Sequence, residues 1–303
     1  MSTAVVFPGQ GSQSPGIGVV WRDRPEWELV DQAERVTGLD LTHLLLDADA
    51  EELASTDAAQ LQVLAASLLA WRALAPTLGP DLVAMAGHSL GQITALVASG
   101  ALGLADGFRL AAARAAATRD ADRLRPGGLL ALLGADERQA VDACAAAPGR
   151  AWVANLNGPS QVVVGGEVTA LAAVAERATT LGVRRVIPLA VGGAFHTPWM
   201  AGAATSLAPT LADLRFRSPT WPLVTNHDAR VVTDGRGWPE RLVRHLTEPV
   251  RWDASVRRLA ERGADRFVEV GPGSTLSALV RRIVPEAEVR SVGCPDDLAT
   301  RAA

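Results

Sequence analysis

The chain has 303 residues, of which 48% are hydrophobic and 20% charged, as in a globular protein with one large domain or two of moderate size. Its formal net charge is −4 at pH 7, so the sequence offers no basic surface for a nucleic acid. All 29 cationic side chains are arginines, which excludes lysine chemistry such as a Schiff base.

The cysteines and the N-terminus restrict the cellular setting. Cys144 and Cys294 are too few for a disulfide framework or a cysteine-based metal site. The first residues, MSTAVVFPGQG, lack the basic start and long apolar core of a signal peptide. No apolar run reaches membrane-spanning length without a charge, a glycine or a proline. We therefore expect a cytoplasmic protein that contacts neither membranes nor nucleic acid.

The N-terminal region is predicted to begin with a short apolar strand, Thr3 to Phe7. The loop that follows, Pro8 to Gln13, is either an ordinary surface loop or part of a site at the end of a buried strand. Residues 26–36 and 39–46 are predicted as helical or turn-like segments. Residues 61–74 are predicted as a helix that is apolar on most of its surface and therefore buried. Gln60 is interpreted from its position as a polar group at the entry of that helix.

The next segment has the pattern of a nucleophile elbow. Leu82 to Met85 form an apolar strand, the G-x-S-x-G sequence spans Gly87 to Gly91, and a helical pattern follows over 92–98. The turn exposes Ser89 at the carboxyl end of the strand, beside a helix N-terminus that favours negative charge. The alternative is a tight turn that contains serine by chance.

Arg114 lies within a predicted helix over 105–121, among alanines at 111–113 and 115–117. Its side chain either reaches solvent or uses the space left by the alanines to bind a carboxylate in a cavity. Composition alone favours solvent.

Residues 127–190 have the β-α-β-β-α-β order of a ferredoxin-like unit inserted into the chain. The predicted elements are strands at 129–133, 151–155, 161–165 and 185–189 and helices at 138–146 and 168–181. Asn155 and Asn157 are either turn residues or polar groups facing a cleft.

His196 follows a strand and a glycine pair, which is the best context for a catalytic base among the five histidines. A strand is predicted at 221–225, helices at 238–247 and 252–262, a strand at 266–270 and a helix at 275–283. The last twenty residues are predicted as a weak strand, EVRSV, and a loose tail. An esterase would need an acidic residue between Ser89 and His196, and Asp142 in the inserted unit is badly placed for that.

Six motifs together resemble the malonyl-CoA:acyl carrier protein transacylases over nearly the whole chain. They are FPGQGSQ at 7–13, GHSLGQ at 87–92, NLNGPSQVVVGG at 155–166, GAFHTP at 193–198, EPVRW at 248–252 and EVGPG at 269–273. The resemblance implies an α/β fold: an α/β-hydrolase-like large domain with a parallel sheet, residues 1–126 and 191–303, and an inserted ferredoxin-like small domain, residues 127–190.

The resemblance also implies roles for the candidate residues. Ser89 resembles the acyl-carrying nucleophile, His196 its general base and Arg114 the arginine that binds a malonyl carboxylate. The backbone amides of Gln10 and Leu90 resemble the oxyanion hole.

Four further positions are expected around the substrate. Asn155 resembles an asparagine near the base, and Phe195 resembles the malonyl-selecting form of its motif. His245 stands where the family often has glutamine, and its backbone carbonyl or its side chain orients the base. Gln60 is expected to bind substrate. Ala115 and Leu61 depart from the family's glycine and proline and leave the acyl specificity open.

The implied partners are malonyl-CoA or a related acyl-CoA and an acidic acyl carrier protein, with no metal or redox cofactor and a monomeric enzyme. Arg184 and Arg185 are candidate docking residues for the carrier protein, or simply solvated charges. The alternatives are a trans-acting polyketide acyltransferase for a larger acyl group, an acyl-thioester hydrolase that lacks the carboxylate-binding arginine, and a non-catalytic docking subunit.

Overall fold

The computed structural model of the protein describes residues 1–299, and its elements follow the predicted order closely. The helices are α1 (Glu28–Thr37), α2 (Leu41–Leu46), α3 (Thr56–Leu78), α4 (Gly91–Ala98), α5 (Leu104–Leu124), α6 (Glu137–Cys144), α7 (Val168–Thr180), α8 (Ala201–Asp213), α9 (Trp238–Thr247), α10 (Trp252–Glu261), α11 (Thr275–Ile283) and α12 (Pro295–Ala299).

The strands form two separate sheets. They are β1 (Thr3–Phe7), β2 (Leu82–Gly87), β3 (Gly127–Leu133), β4 (Ala151–Gly158), β5 (Gln161–Glu167), β6 (Arg185–Pro188), β7 (Leu223–Val224), β8 (Val231–Val232), β9 (Arg266–Val270) and β10 (Glu288–Val292). Short 3-10 helices lie at Val19–Trp21, Pro25–Trp27, Glu52–Ala54, Gly79–Asp81 and Pro198–Met200.

The larger sheet has the strand order β10-β9-β1-β2-β7-β8. Its first five strands are parallel, and β8 at the edge pairs antiparallel with β7. All five residues of β1 are buried, as expected for a central strand with helices on both faces. The carboxyl ends of the neighbouring strands β1 and β2 therefore meet at one edge of the sheet, which is where parallel α/β sheets bind their ligands.

The smaller sheet is antiparallel, with the order β4-β5-β3-β6. This is the strand order of a ferredoxin-like unit, and α6 and α7 pack on it. Backbone hydrogen bonds join this sheet to the segment before α10, from Leu156 N–H to the Val250 carbonyl at 2.8 Å and from Val250 N–H to the Ala154 carbonyl at 2.9 Å. The predicted fold class is confirmed, and the division into domains at 126/127 and 190/191 stays a prediction.

Helix α3 is the core helix of the larger unit. Fifteen of its 23 residues are buried, and it packs against α2, α4 and α5. The segment Thr56–Asp81 is long and apolar enough to cross a membrane, but 67% of its most apolar window is buried inside the protein. A buried core helix has the same composition, so this helix is weak evidence for a membrane protein.

Several predicted bounds were wrong. Helix α3 begins at Thr56, capped by the Ser55 hydroxyl, so Gln60 lies inside the helix and is not an entry residue. The strand predicted at 221–225 is only two residues long, because the chain turns at Thr225 to form β8, which was not predicted. Of the predicted loose tail, 295–299 form α12, and 300–303 lie outside the described residues.

Candidate active site

The G-x-S-x-G segment forms a tight turn between β2 and α4. A Cβ atom on Gly87 would lie 1.8 Å from the Gly91 carbonyl oxygen, and one on Gly91 would lie 2.1 Å from the Phe7 carbonyl oxygen. Only glycine fits at these two positions. Ser89, between them, has a positive φ of 53°, which is uncommon for a residue with a side chain. The turn therefore presents Ser89 at the carboxyl end of β2, just before α4.

The side chain of Asn226 holds this turn from the loop between β7 and β8. Its Oδ1 accepts a hydrogen bond from the Ser89 backbone N–H at 2.8 Å. Its Nδ2 donates to the Gly87 carbonyl at 2.5 Å and to Gln92 Oε1 at 2.9 Å. Because Asn226 is buried, one side chain fixes the backbone at Gly87 and at the N–H of the strained Ser89.

His196 faces the hydroxyl of Ser89. Its Nε2 lies 2.7 Å from Ser89 Oγ, and its Nδ1 lies 2.6 Å from the backbone carbonyl oxygen of His245. A carbonyl oxygen can only accept, so Nδ1 carries the proton and Nε2 is free to take one from Ser89. This is the geometry of a nucleophile with its general base. Of the two contacts predicted for His245, the structure contains the one through the backbone carbonyl.

Burial keeps the base neutral. His196 is only 3% exposed, and its pKa is lowered from 6.5 to about 3, first by burial and then by the positive charge of Arg114, while the hydrogen bond to the His245 carbonyl opposes both. The ring of His245 lies beside that of His196, with centroids 4.9 Å apart, and burial lowers the pKa of His245 as well. Both imidazoles are therefore neutral at pH 7, as a general base must be.

Arg114 points into the protein, so the preference for solvent that composition suggested was wrong. The residue is 4% exposed, Nη1 donates to Gln60 Oε1 at 2.6 Å, and Nη2 donates to Ser89 Oγ at 3.1 Å. Burial lowers the pKa of Arg114 to about 10, which leaves it charged at neutral pH. Within residues 1–299 no carboxylate lies within 4.0 Å of the guanidinium. A buried cation without a counterion indicates a site for an anionic group of a ligand.

A cleft of about 250 Å³ opens onto Ser89, His196 and Arg114. Residues of the loops after β1 and β2, of the smaller sheet and of helix α11 line it, and among the lining residues are three further predicted site residues, Gln10, Asn155 and Phe195. Gln60 and His245 lie behind the cleft, where they contact Arg114 and His196. Leu90 is buried directly after Ser89, at the start of α4.

Two groups of predicted residues lie apart from this cleft. Arg184 and Arg185 are exposed at the start of β6 and do not line it. Leu61 and Ala115 are buried but also do not line it, so their effect on acyl specificity stays a prediction. In the part of the chain that the structure describes, no three His, Cys, Asp or Glu side chains are grouped to hold a metal ion.

The chain is similar to known proteins over nearly its whole length. Residues 4–294 match the family model of the acyl transferase domain. The chain belongs to this family. A malonyl CoA-acyl carrier protein transacylase of Salmonella typhimurium is 35% identical over 302 residues, which cover 98% of this chain and 97% of that protein.

Solved structures give the same result for the acyl transferase fold. A malonyl-CoA:acyl carrier protein transacylase from Xanthomonas oryzae has a TM-score of 0.92 at 37% identity, covering 99% of this chain and 98% of that one. A malonyl-transacylase solved in complex with a type II PKS acyl-carrier protein has a TM-score of 0.93 at 33% identity, covering 98% of each chain.

Sequence reasoning missed two contacts of this acyl transferase site. Asn226 follows a strand and was given no role, since nothing local distinguishes it from a turn asparagine. His88, inside the elbow, lies 2.8 Å from Asn157 Oδ1 through Nε2 and packs edge-on against Trp252 at 5.4 Å. Asn157 therefore faces the cleft side, as one of its two predicted interpretations had it, and connects the small sheet to the elbow.

Proposed function

We propose that the protein transfers a malonyl group from malonyl-CoA to the phosphopantetheine thiol of an acyl carrier protein through an acyl-Ser89 intermediate. The observation that carries the proposal is the convergence of two side chains on the hydroxyl oxygen of a third. Ser89 Oγ lies 2.7 Å from His196 Nε2 and 3.1 Å from the buried Arg114 guanidinium. A nucleophile, its base and a carboxylate-binding cation are the groups that this reaction requires.

In the first half-reaction, His196 Nε2 takes the proton of Ser89 as Oγ attacks the thioester carbonyl carbon. The C–O bond forms, and the carbonyl oxygen becomes an oxyanion held by the backbone amides of Gln10 and Leu90. Removing one such donor costs an enzyme roughly 10²–10³ in rate. When the intermediate collapses, the C–S bond breaks and the proton passes from His196 to the sulfur of CoA.

In the second half-reaction the carrier-protein thiol attacks the malonyl-Ser89 ester. His196 takes the thiol proton and returns it to Ser89 Oγ as the C–O bond breaks. The mechanism is ping-pong, and the two thioesters have similar energy, so the enzyme must exclude water rather than drive the transfer. The chemistry needs no metal or redox cofactor, and we place it in the cytoplasm, carried out by a monomer.

Arg114 selects the acyl group in this proposal. A malonyl carboxylate pairs with the guanidinium in a cleft where Asn155 and Phe195 form part of the walls. An acetyl group would leave the buried cation unpaired, which costs about 3–5 kcal/mol for a buried ion pair that loses one partner. The presence of Arg114 beside Ser89 also argues against the hydrolase alternative, which was expected to lack a carboxylate-binding arginine.

The pathway of the carrier protein is a second question. One relative was solved with a type II PKS acyl-carrier protein, and curated relatives are named malonyl CoA-acyl carrier protein transacylases. Carrier proteins of both pathways accept the malonyl group on a phosphopantetheine thiol. Rates of malonyl transfer to carrier proteins from fatty acid synthesis and from polyketide synthesis would therefore identify the natural partner.

The test is the intact mass of the protein after brief mixing with malonyl-CoA, methylmalonyl-CoA or acetyl-CoA. Wild type is expected to gain a malonyl adduct, Ser89→Ala to gain none, and Arg114→Ala to lose malonyl preference and accept acetyl. The adduct must persist without a thiol acceptor and disappear when a carrier protein is added. A folded wild type that takes no acyl group from any donor would overturn the proposal, and an adduct that hydrolyses within seconds would indicate a hydrolase.

A further inference from the structure

One oxygen atom connects the specificity residue to the base. Ser89 Oγ accepts a hydrogen bond from Arg114 Nη2 at 3.1 Å and lies 2.7 Å from His196 Nε2. Only this hydroxyl separates the guanidinium from the imidazole. The other end of the guanidinium is tied to Gln60 Oε1 at 2.6 Å, so its position is fixed from two sides. The site thus holds a permanent cation beside the atom that must react.

The charge of Arg114 opposes the protonation of His196 until it is neutralised. When His196 takes the Ser89 proton it becomes an imidazolium, a second cation beside the guanidinium in a buried site. Two positive charges held on opposite sides of one hydroxyl in a buried site repel each other strongly. Arg114 lacks a protein carboxylate within 4.0 Å in residues 1–299, and its charge is among the causes that depress the pKa of His196.

The other titratable groups that face His196 do not relieve this repulsion. His245 on α9 lies beside it with ring centroids 4.9 Å apart, and His88 in the elbow is also close enough to interact. Burial lowers the pKa of both, so neither carries a charge at pH 7, and neither is an anion at any pH. The negative charge that the site needs must therefore arrive with the acyl donor.

We propose that the carboxylate of the acyl donor switches on the general base: by pairing with Arg114 it cancels the charge beside Ser89 and allows His196 to accept the hydroxyl proton. This inference rests on the proposed function and adds to it. Arg114 then discriminates against an acetyl group in the chemical step itself, as well as in binding. In the second half-reaction the malonyl group on Ser89 supplies the same charge while His196 deprotonates the carrier thiol.

The test separates the carboxylate from the acyl group by offering acetyl-CoA together with formate. Acetylation of Ser89 is followed by rapid-quench intact mass at saturating acetyl-CoA, with sodium chloride at equal ionic strength as the control. In wild type, formate is expected to raise the first-order acetylation rate constant saturably, by at least tenfold. In Arg114→Gln the rate constant without formate is expected to exceed that of wild type already, and formate is expected to leave it unchanged.

A second variant on the same helix tests whether the effect is local. Arg109→Gln removes an exposed arginine that pairs with Asp106, and its formate response is expected to equal that of wild type. The acid limb of the wild-type acetylation rate is expected to move to higher pH with formate, because neutralising Arg114 raises the pKa of His196. A merely structural role of Arg114 would not move this limb.

Three results would overturn the switch: formate that leaves the rate constant unchanged, formate that lowers it, or formate that improves only the KM for acetyl-CoA. Malonyl-CoA is run on the same preparation so that the two proposals fail separately. If wild type forms no malonyl-Ser89, the proposed function fails. If it forms malonyl-Ser89 and shows no formate response, only the switch fails.

Discussion

The backbone N–H of Ser89 donates to Oδ1 of Asn226 at 2.8 Å, although 137 positions separate the two residues. The N–H of the candidate nucleophile is therefore occupied by a protein acceptor, which leaves the next amide along the chain, that of Leu90, for an oxyanion. Since Nδ2 of the same side chain donates to the Gly87 carbonyl, Asn226 supports the backbone of the elbow at Gly87 and at the strained Ser89.

Asn226→Ala should therefore weaken both the elbow and acylation. The substitution leaves the partly buried Ser89 N–H without its partner, which costs up to about 1–3 kcal/mol in stability. Misplacement of Oγ should lower the rate constant of Ser89 acylation roughly 10- to 100-fold with a smaller change in KM. Asn226→Asp, which keeps Oδ1 and loses the Nδ2 donor, should fall between Ala and wild type. An Asn226→Ala enzyme with the wild-type acylation rate would show that the contact is not needed for positioning.

The buried neutral histidines make the protein sensitive to acid. The pKa of His196 is about 3 in the folded protein and about 6.5 in the unfolded chain, so between these values the unfolded chain binds a proton that the native state does not. The contribution of His196 to the free energy of unfolding is then fully present above pH 6.5 and is lost as the pH falls toward 3. For His196 alone the loss is roughly 2 kcal/mol between pH 7 and pH 5.

Urea unfolding at pH 7 and pH 5 measures this loss, and His196→Gln is the matched control. The variant lacks the titrating group, so its free energy of unfolding should fall less than that of wild type over the same interval. Carboxylates titrate equally in the two proteins and cancel in the comparison. Equal pH dependence in both would contradict a depressed pKa for His196.

Local sequence was sufficient for the elements whose signals lie within a few residues. Gly87 is dictated by contact with the Gly91 carbonyl inside one turn, and the alternating order of short strands and helices over 127–190 determines a ferredoxin-like sheet. The direction of Arg114 was not predictable from its alanine neighbours, because it depends on Gln60, 54 positions away on α3. Asn226 was missed for the same reason, since its function is visible only once β7 lies beside β2.

His245→Gln tests which part of His245 acts on the base. His196 Nδ1 donates to the backbone carbonyl, which the substitution retains, and the Nε2 of His245 has no hydrogen-bond partner within residues 1–299. The acylation rate and its pH profile should stay within about threefold of wild type, as expected for a surviving hydrogen bond. Stopped-flow acylation across pH 5–8 measures this. A decrease in the acylation rate of more than tenfold, or a shift of the acid limb of its pH profile, would show that the imidazole ring of His245 orients His196.

Reversing the charge of Arg184 and Arg185 tests whether the exposed start of β6 receives an acidic carrier protein. The double variant Arg184→Glu with Arg185→Glu should raise the KM for the carrier protein roughly 3- to 30-fold, because each exposed pair contributes up to about 1 kcal/mol. The rate of Ser89 malonylation by malonyl-CoA should not change, since neither residue lines the cleft.

The double variant Arg22→Glu with Arg24→Glu, in the exposed N-terminal segment, has the same net charge and should leave the KM for the carrier protein near that of wild type. The difference between the two double variants should shrink at high salt, where exposed charges are screened. Equal KM values for the two would remove β6 from the docking surface and indicate that only net charge matters.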